Sequence, residues 1–293
     1  MNTFSDETLI PSSIHDCKPT LSDTEILEFL KNGYLRLDGV VPDDINQRVV
    51  KYCDAHPTVP YMNGILYEEW FVEGVMRNAE VAGAVRSLLG RDFHLPVQMV
   101  NHRVRCPIAS VAGWHIDGNY NYTHELNFLQ VFYYPQDTPL EMGPTQLVPG
   151  THLVRQKSRW MGHLGNIKNT VSTDAPAGSV FITIYHIWHR RPSSTATATR
   201  NLLKYFYWRT SPPKRDWVID PNFDFATADY DSPAAGLVEQ FRSAVKVAEM
   251  FLWLCGKHDM FQNLGGQSFP LPVPRTGTPY GFPEGLKKEY LGE

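Results

Sequence analysis

A chain of 293 residues with 42% hydrophobic and 12% aromatic residues can bury a large core, and a net charge of −4 with scattered lysine and arginine gives no basic stripe for a phosphate backbone. Nucleic acid is therefore not an expected partner. No apolar run reaches the ~20 residues that span a bilayer, the amino terminus shows no basic-then-apolar leader, and the four cysteines (Cys17, Cys53, Cys106, Cys255) lack Cys-x-x-Cys spacing, so the expectation is a soluble, cytoplasmic protein with reduced thiols.

In chain order, residues 1–20 are polar and read as a flexible segment, and residues 21–293 as a single domain with helical additions. Asp23 to Lys31 has the pattern of a helix capped by Ser22 or Asp23, and Pro42-Asp43-Asp44 starts a second helix through Tyr52. Strands alternate over 92 to 209. They include Leu95 to Val104, the run Asn127 to Tyr134, a strand opened by Ala177-Gly178 that continues to His189, and Leu202 to Arg209, just after Arg200. Ala234 to Cys255 reads as a helix packed on the outside, with Lys257 and His258 complementing its dipole. The 22 prolines and 21 glycines suit strands and loops better than a helix bundle.

The stretch Trp114-His115-Ile116-Asp117-Gly118 carries the chemistry. On an extended strand, residues i and i+2 share a face, so His115 and Asp117 can reach one metal ion, and His189 can supply a third ligand. Two imidazoles and one carboxylate form the facial triad that suits non-haem Fe(II) and leaves coordination positions open. Alone, the tripeptide is weak, because a strand histidine beside a turn aspartate is the plainer reading. The order of the surrounding pieces strengthens it: a strand, the turn-rich Glu141 to His152, a strand ending at His189, then Arg200.

These blocks resemble the phytanoyl-CoA dioxygenase family of Fe(II)- and 2-oxoglutarate-dependent oxygenases. Four match: Leu21 to Val41, a helix followed by a glycine-aromatic-apolar strand entry; Trp114 to Gly118; Gly143 to His152, similar to the family's G-P-x-x-x-x-P-G-[ST]-H loop; and the strand to His189 with Arg200 eleven residues later. The resemblance implies Fe(II) bound by His115, Asp117 and His189, with 2-oxoglutarate and O2 as cosubstrates. Arg200 would grip the distal carboxylate through a planar fork that lysine cannot reproduce. Arg190, Arg191 and Arg209 are its rivals, and His186 is the rival of His189. Gln98 and Tyr133 are further cosubstrate candidates. The sequence departs from the family after His189, where Arg190-Arg191-Pro192-Ser193-Ser194 replaces the usual small hydroxyl residue and asparagine.

The fold implied is mainly β with flanking helices, a double-stranded β-helix or jelly-roll, cupin-like barrel. The activity implied is oxidation of a metabolite C–H bond, most simply hydroxylation, with release of succinate and CO2. Asp117 argues against halogenation, since related halogenases lack that carboxylate. The small or medium-sized substrate would meet Trp114, Asn119, Tyr120 and Trp188, with Trp160 nearby. Pro270 to Glu293 would cover the barrel mouth or form a homo-oligomer contact. Two alternatives stand beside this reading: a jelly-roll hydrolase or isomerase using zinc or manganese, and a catalytically silent ligand-binding barrel.

Overall fold

The first helix begins where the sequence supplies its cap. In the computed structural model, which describes residues 15–58, 60–118, 122–154, 163–233 and 237–261, α1 spans Asp23–Asn32. The Ser22 side chain accepts the Glu25 N–H while the Glu25 carboxylate accepts the Ser22 N–H, a reciprocal capping box. Gly33 ends the helix at φ 80° and turns the chain into β1 (Tyr34–Leu37). Any side chain there would also collide with the ring of His152, whose Nδ1 faces the position a Cβ would take.

The second expected helix forms as α2 (Asp43–Ala55), with Pro42 just outside its first turn. A third, α3 (Ala79–Leu89), was not foreseen; Asn78 caps it by accepting the N–H groups of Glu80 and Val81. The long carboxyl-terminal helix is α4 (Leu237–Leu254), and it packs against α1. Residues 15–20 are tied down rather than loose. His15 hydrogen-bonds through Nε2 to the Phe93 carbonyl at 2.7 Å and stacks on its ring, and Thr20 donates its N–H to Ser87 Oγ. Short polar side chains had masked this attachment, which is made through backbone groups and one buried imidazole. Residues 1–14 and Pro270 to Glu293 lie outside the described residues.

The remaining strands are β2 (Met99–Asn101), β3 (Val104–Arg105), β4 (Phe128–Tyr134), β5 (Gln146–Val148), β6 (Val171–Ser172), β7 (Ser179–Thr183), β8 (Trp188–Arg190), β9 (Thr199–Arg200) and β10 (Leu203–Trp208). The fold is mainly β, and all pairings between these strands are antiparallel. A five-stranded sheet runs β1-β7-β4-β10-β2, a three-stranded one β6-β5-β8, and β3 pairs with β9. Alternation along the strands divides the large sheet into two buried faces. Leu129, Val131 and Tyr133 of β4, Leu203 and Tyr205 of β10, and Val180 and Ile182 of β7 join the helices in one core. Phe132, Tyr134 and Phe181 point the other way and pack with Leu147 of the small sheet and Ile187.

Two expected strands prove to be two each. Leu95 to Val104 resolves into β2 in the large sheet and β3 in the two-stranded one, and the run to His189 resolves into β7 and β8 in different sheets, joined by a turn closed by the Ile187 N–H on the Ile184 carbonyl. An apolar run that crosses from one sheet to another keeps its composition, so pattern alone reads it as continuous. No helix among the described residues is long and apolar enough to cross a membrane.

Candidate metal and cosubstrate site

Backbone pairing brings the two histidines together. The chain ahead of His115 runs antiparallel to the chain after β8, and His115 and His189 exchange both backbone hydrogen bonds, at 3.1 and 3.0 Å. Their rings stand with centroids 4.3 Å apart. Asp117, two residues on, returns to the same face, so one ligand atom from each of His115, Asp117 and His189 falls within 4.8 Å of the others. His115 donates through Nδ1 to the Gly113 carbonyl at 2.9 Å, and His189 likewise to the Ile187 carbonyl at 3.0 Å. A carbonyl can only accept, so each Nδ1 carries the proton and each Nε2 keeps a lone pair for a metal.

Neighbours on the large sheet fix the carboxylate. Asp117 Oδ2 accepts from Gln130 Nε2 at 2.7 Å and from Lys204 Nζ, and lies 3.4 Å from His189 Nε2. Burial alone would push the Asp117 carboxyl up, but its neighbours, the Lys204 ammonium among them, outweigh it and hold the group well below the usual carboxylate range. Burial, and then the neighbouring His189, lowers His115, so its neutral, ligating form prevails. Sequence reading passed over Gln130 and Lys204. The signal was present, since each is a lone amide or charge inside an otherwise apolar or aromatic strand.

The triad opens on a cavity of about 310 Å³, at the low end of the ~300–1,000 Å³ range of ligand sites. His102, Phe132, Thr145, Arg200 and Lys204 also line it. Burial, and then Lys204, pushes His102 down to about 4, so this ring is neutral at physiological pH. Arg200 is only 2% exposed and donates through one guanidinium nitrogen to the Gly143 carbonyl, the first residue of the glycine-proline loop. Its Nε has no hydrogen-bond partner, and no carboxylate among the described residues stands near enough to raise its pKa. A buried guanidinium left in this state calls for an anion.

The other candidates are engaged differently. Arg190 and Arg191 also reach the cavity wall, but Arg190 bonds Gln146, Gly165 and Asn166 and stacks on Trp114 at 4.3 Å, and Arg191 bonds Ser110; Arg209 lies elsewhere and caps the carbonyls of Leu88, Leu89 and Leu126. His186 lies in the turn after β7 and lines a different, smaller pocket. Tyr133 points away from the triad and donates to Asn46 Oδ1 at 2.6 Å in the helix-side core, because the face is set by strand alternation and Gln130 and Phe132 hold the cavity side. Gln98 is exposed ahead of β2, where the expected strand has not begun, and does not line the cavity. Trp114 and Trp188 belong to one buried cluster with Ile116 and Val148 and do not line the cavity, so they support the site instead of facing into it. Asn119, Tyr120 and Trp160 lie outside the described residues.

No family model matches the chain. No curated protein matches it either. Solved structures do. The chain is similar to the non-heme monooxygenase ThoJ in its nickel complex (TM-score 0.50, 16% identity, covering 68% of this chain and 89% of that one). It is also similar to HygX from Streptomyces hygroscopicus with nickel and 2-oxoglutarate bound (0.51, 14%, 68% and 90%), and to SnoK, a non-heme alpha ketoglutarate dependent carbocyclase from nogalamycin biosynthesis (0.51, 16%, 75% and 97%). At these identities the likeness establishes the fold, and the fold of this chain is the mainly β one that those non-heme enzymes share.

Proposed function

We propose that the chain is an Fe(II)- and 2-oxoglutarate-dependent oxygenase of the phytanoyl-CoA dioxygenase type, with His115, Asp117 and His189 as metal ligands and Arg200 as the cosubstrate anchor. One observation carries this reading. A two-histidine, one-carboxylate cluster with its imidazole tautomers preset shares a cavity with a buried arginine whose Nε is unpartnered. The large sheet facing the smaller ones fits the double-stranded β-helix, and the solved neighbours of similar fold include one with 2-oxoglutarate bound.

With Fe(II), 2-oxoglutarate and O2 bound, the site would supply oxidative decarboxylation to succinate and CO2 coupled to oxidation of a substrate C–H bond. The protein's part is to orient and to balance charge. Gln130 and Lys204 hold the Asp117 carboxylate in place from outside the ligand shell. Five of the residues lining the cavity are arginine or lysine and only Asp117 is acidic, an excess of positive charge that favours a dicarboxylate cosubstrate. The substrate we infer is a small or medium-sized metabolite and the outcome hydroxylation; the carbocyclase among the similar structures makes ring closure the natural second product to screen.

Anaerobic titration of the metal-free protein with Fe(II) and then 2-oxoglutarate tests the reading through the visible charge-transfer absorption of keto-acid chelation. Its appearance in the native protein, and its shift to higher 2-oxoglutarate concentration in Arg200→Lys, is the expected result. Metal binding without the absorption would favour the hydrolase or isomerase, and no metal binding the silent barrel.

A further inference from the structure

A second pair of histidines meets a carboxylate outside the cavity. His124 lies in the loop ahead of β4, Glu249 on α4, and His258 in the turn that follows α4. His124 Nδ1 is 3.2 Å and His258 Nε2 is 3.1 Å from the same oxygen, Oε1 of Glu249. The two rings stack face to face, with centroids 3.9 Å apart and planes within 12°. Gly256, at φ 70° and pressed against the Pro213 carbonyl, folds the chain back so that His258 returns beside Glu249 instead of merely following the helix.

We propose that His124, Glu249 and His258 form a second site for a first-row divalent metal ion of the zinc class, clipping the end of α4 to the loop that follows the His-x-Asp motif. Imidazole and carboxylate together suit such ions. Two separations fit as they stand: donors held ~2.0–2.2 Å from a tetrahedral ion lie roughly 3.3 Å from one another, close to the two N–O distances observed, while one of the two partly exposed, stacked imidazoles must turn out of the stack for both ring planes to contain the ion. Tyr122 donates its hydroxyl to the other Glu249 oxygen at 3.2 Å, orienting the carboxylate as an outer partner does at metal sites. The Lys246 ammonium donates to the Leu153 carbonyl and stands over the Tyr122 ring. Side-chain exposures of 26%, 19% and 39% leave room for water as a fourth ligand.

The test uses metal-free full-length protein and Zn(II) as the probe, followed by calorimetry and thermal unfolding. A His189→Ala background removes a ligand from the cavity triad, so binding at the second site is read by itself. One equivalent of zinc is expected to bind there and to raise the Tm. Glu249→Gln, which keeps the size of the side chain but removes its charge and one acceptor oxygen, should weaken that binding by more than the ~10–100-fold typical of losing an outer partner, and His258→Ala should do the same. Both variants should retain the far-UV spectrum and, in the wild-type background, the Fe(II) binding of the cavity triad. Absence of zinc binding in the His189→Ala protein, or binding undiminished by Glu249→Gln and His258→Ala, would overturn the proposal.

Discussion

The two faces of the five-stranded sheet are both buried at mid-strand and chemically opposite. Toward the helices, β4 and β10 present Leu129, Val131, Tyr133, Leu203, Tyr205 and Tyr207, and the hydroxyls of Tyr133 and Tyr207 find neutral partners in Asn46 and the Met76 carbonyl. Toward the cavity the same strands present Gln130, Phe132 and Lys204, of which Gln130 is 0% and Lys204 9% exposed. Burial therefore does not mark the functional face. A buried charge does, because it persists only where a partner such as Asp117 offsets its desolvation.

Substitutions on the two faces should separate function from stability. The largest effect belongs to the cavity side: His189→Ala or Asp117→Ala should abolish Fe(II)-dependent succinate formation while far-UV circular dichroism stays native. Full turnover in either variant would remove the triad from the chemistry. On the helix side, Leu203→Ala deletes a fully buried side chain and should cost about 2–5 kcal/mol in urea unfolding, with 2-oxoglutarate affinity unchanged.

The loop carrying His152 gives a pH signature on the same side. Burial holds its imidazole down to about 3, although its bond to the Leu30 carbonyl works the other way. Between about 6.5 and 3 the unfolded chain takes up a proton that the folded one refuses, so stability falls as pH drops, at up to about 1.4 kcal/mol per pH unit. Above that window the contribution of this group is flat. His152→Leu should flatten the acid limb of a stability-versus-pH curve, and an unchanged slope would assign it to other groups.

Arg200→Lys should raise the 2-oxoglutarate concentration at half-saturation about tenfold, equivalent to about 1.4 kcal/mol, since an ammonium cannot supply the planar fork. The smallest effect sharpens the contrast most: Tyr133→Phe should cost about 1 kcal/mol by leaving Asn46 short of a donor, with no change in cosubstrate titration. A weakened titration at unchanged stability would move Tyr133 to the cavity face.

Much of this arrangement was legible in the chain. The capping box at Ser22 and Glu25, the helix stop at Gly33 and the strand Phe128–Tyr134 all follow from local chemistry. The triad candidates were legible in residue type and motif order, and Arg200 was joined to them by the family resemblance. Less legible were α3, the breaks at Ile184–Ile187 and between β2 and β3, and the faces of Tyr133, Trp114 and Trp188. Strand alternation says that neighbours point apart, but not which of two buried faces holds the cavity.

The sequence by itself determined the elements and the identity of the candidate donors, because capping, alternation and donor chemistry are properties of residues a few positions apart. Tertiary structure decided which donors meet. It set His115 opposite His189 through a backbone ladder, turned Gln130 and Lys204 onto Asp117, and carried His258 back to Glu249 and His124. Those encounters join residues distant along the chain, and they depend on sheet pairing and turn geometry that local pattern leaves open.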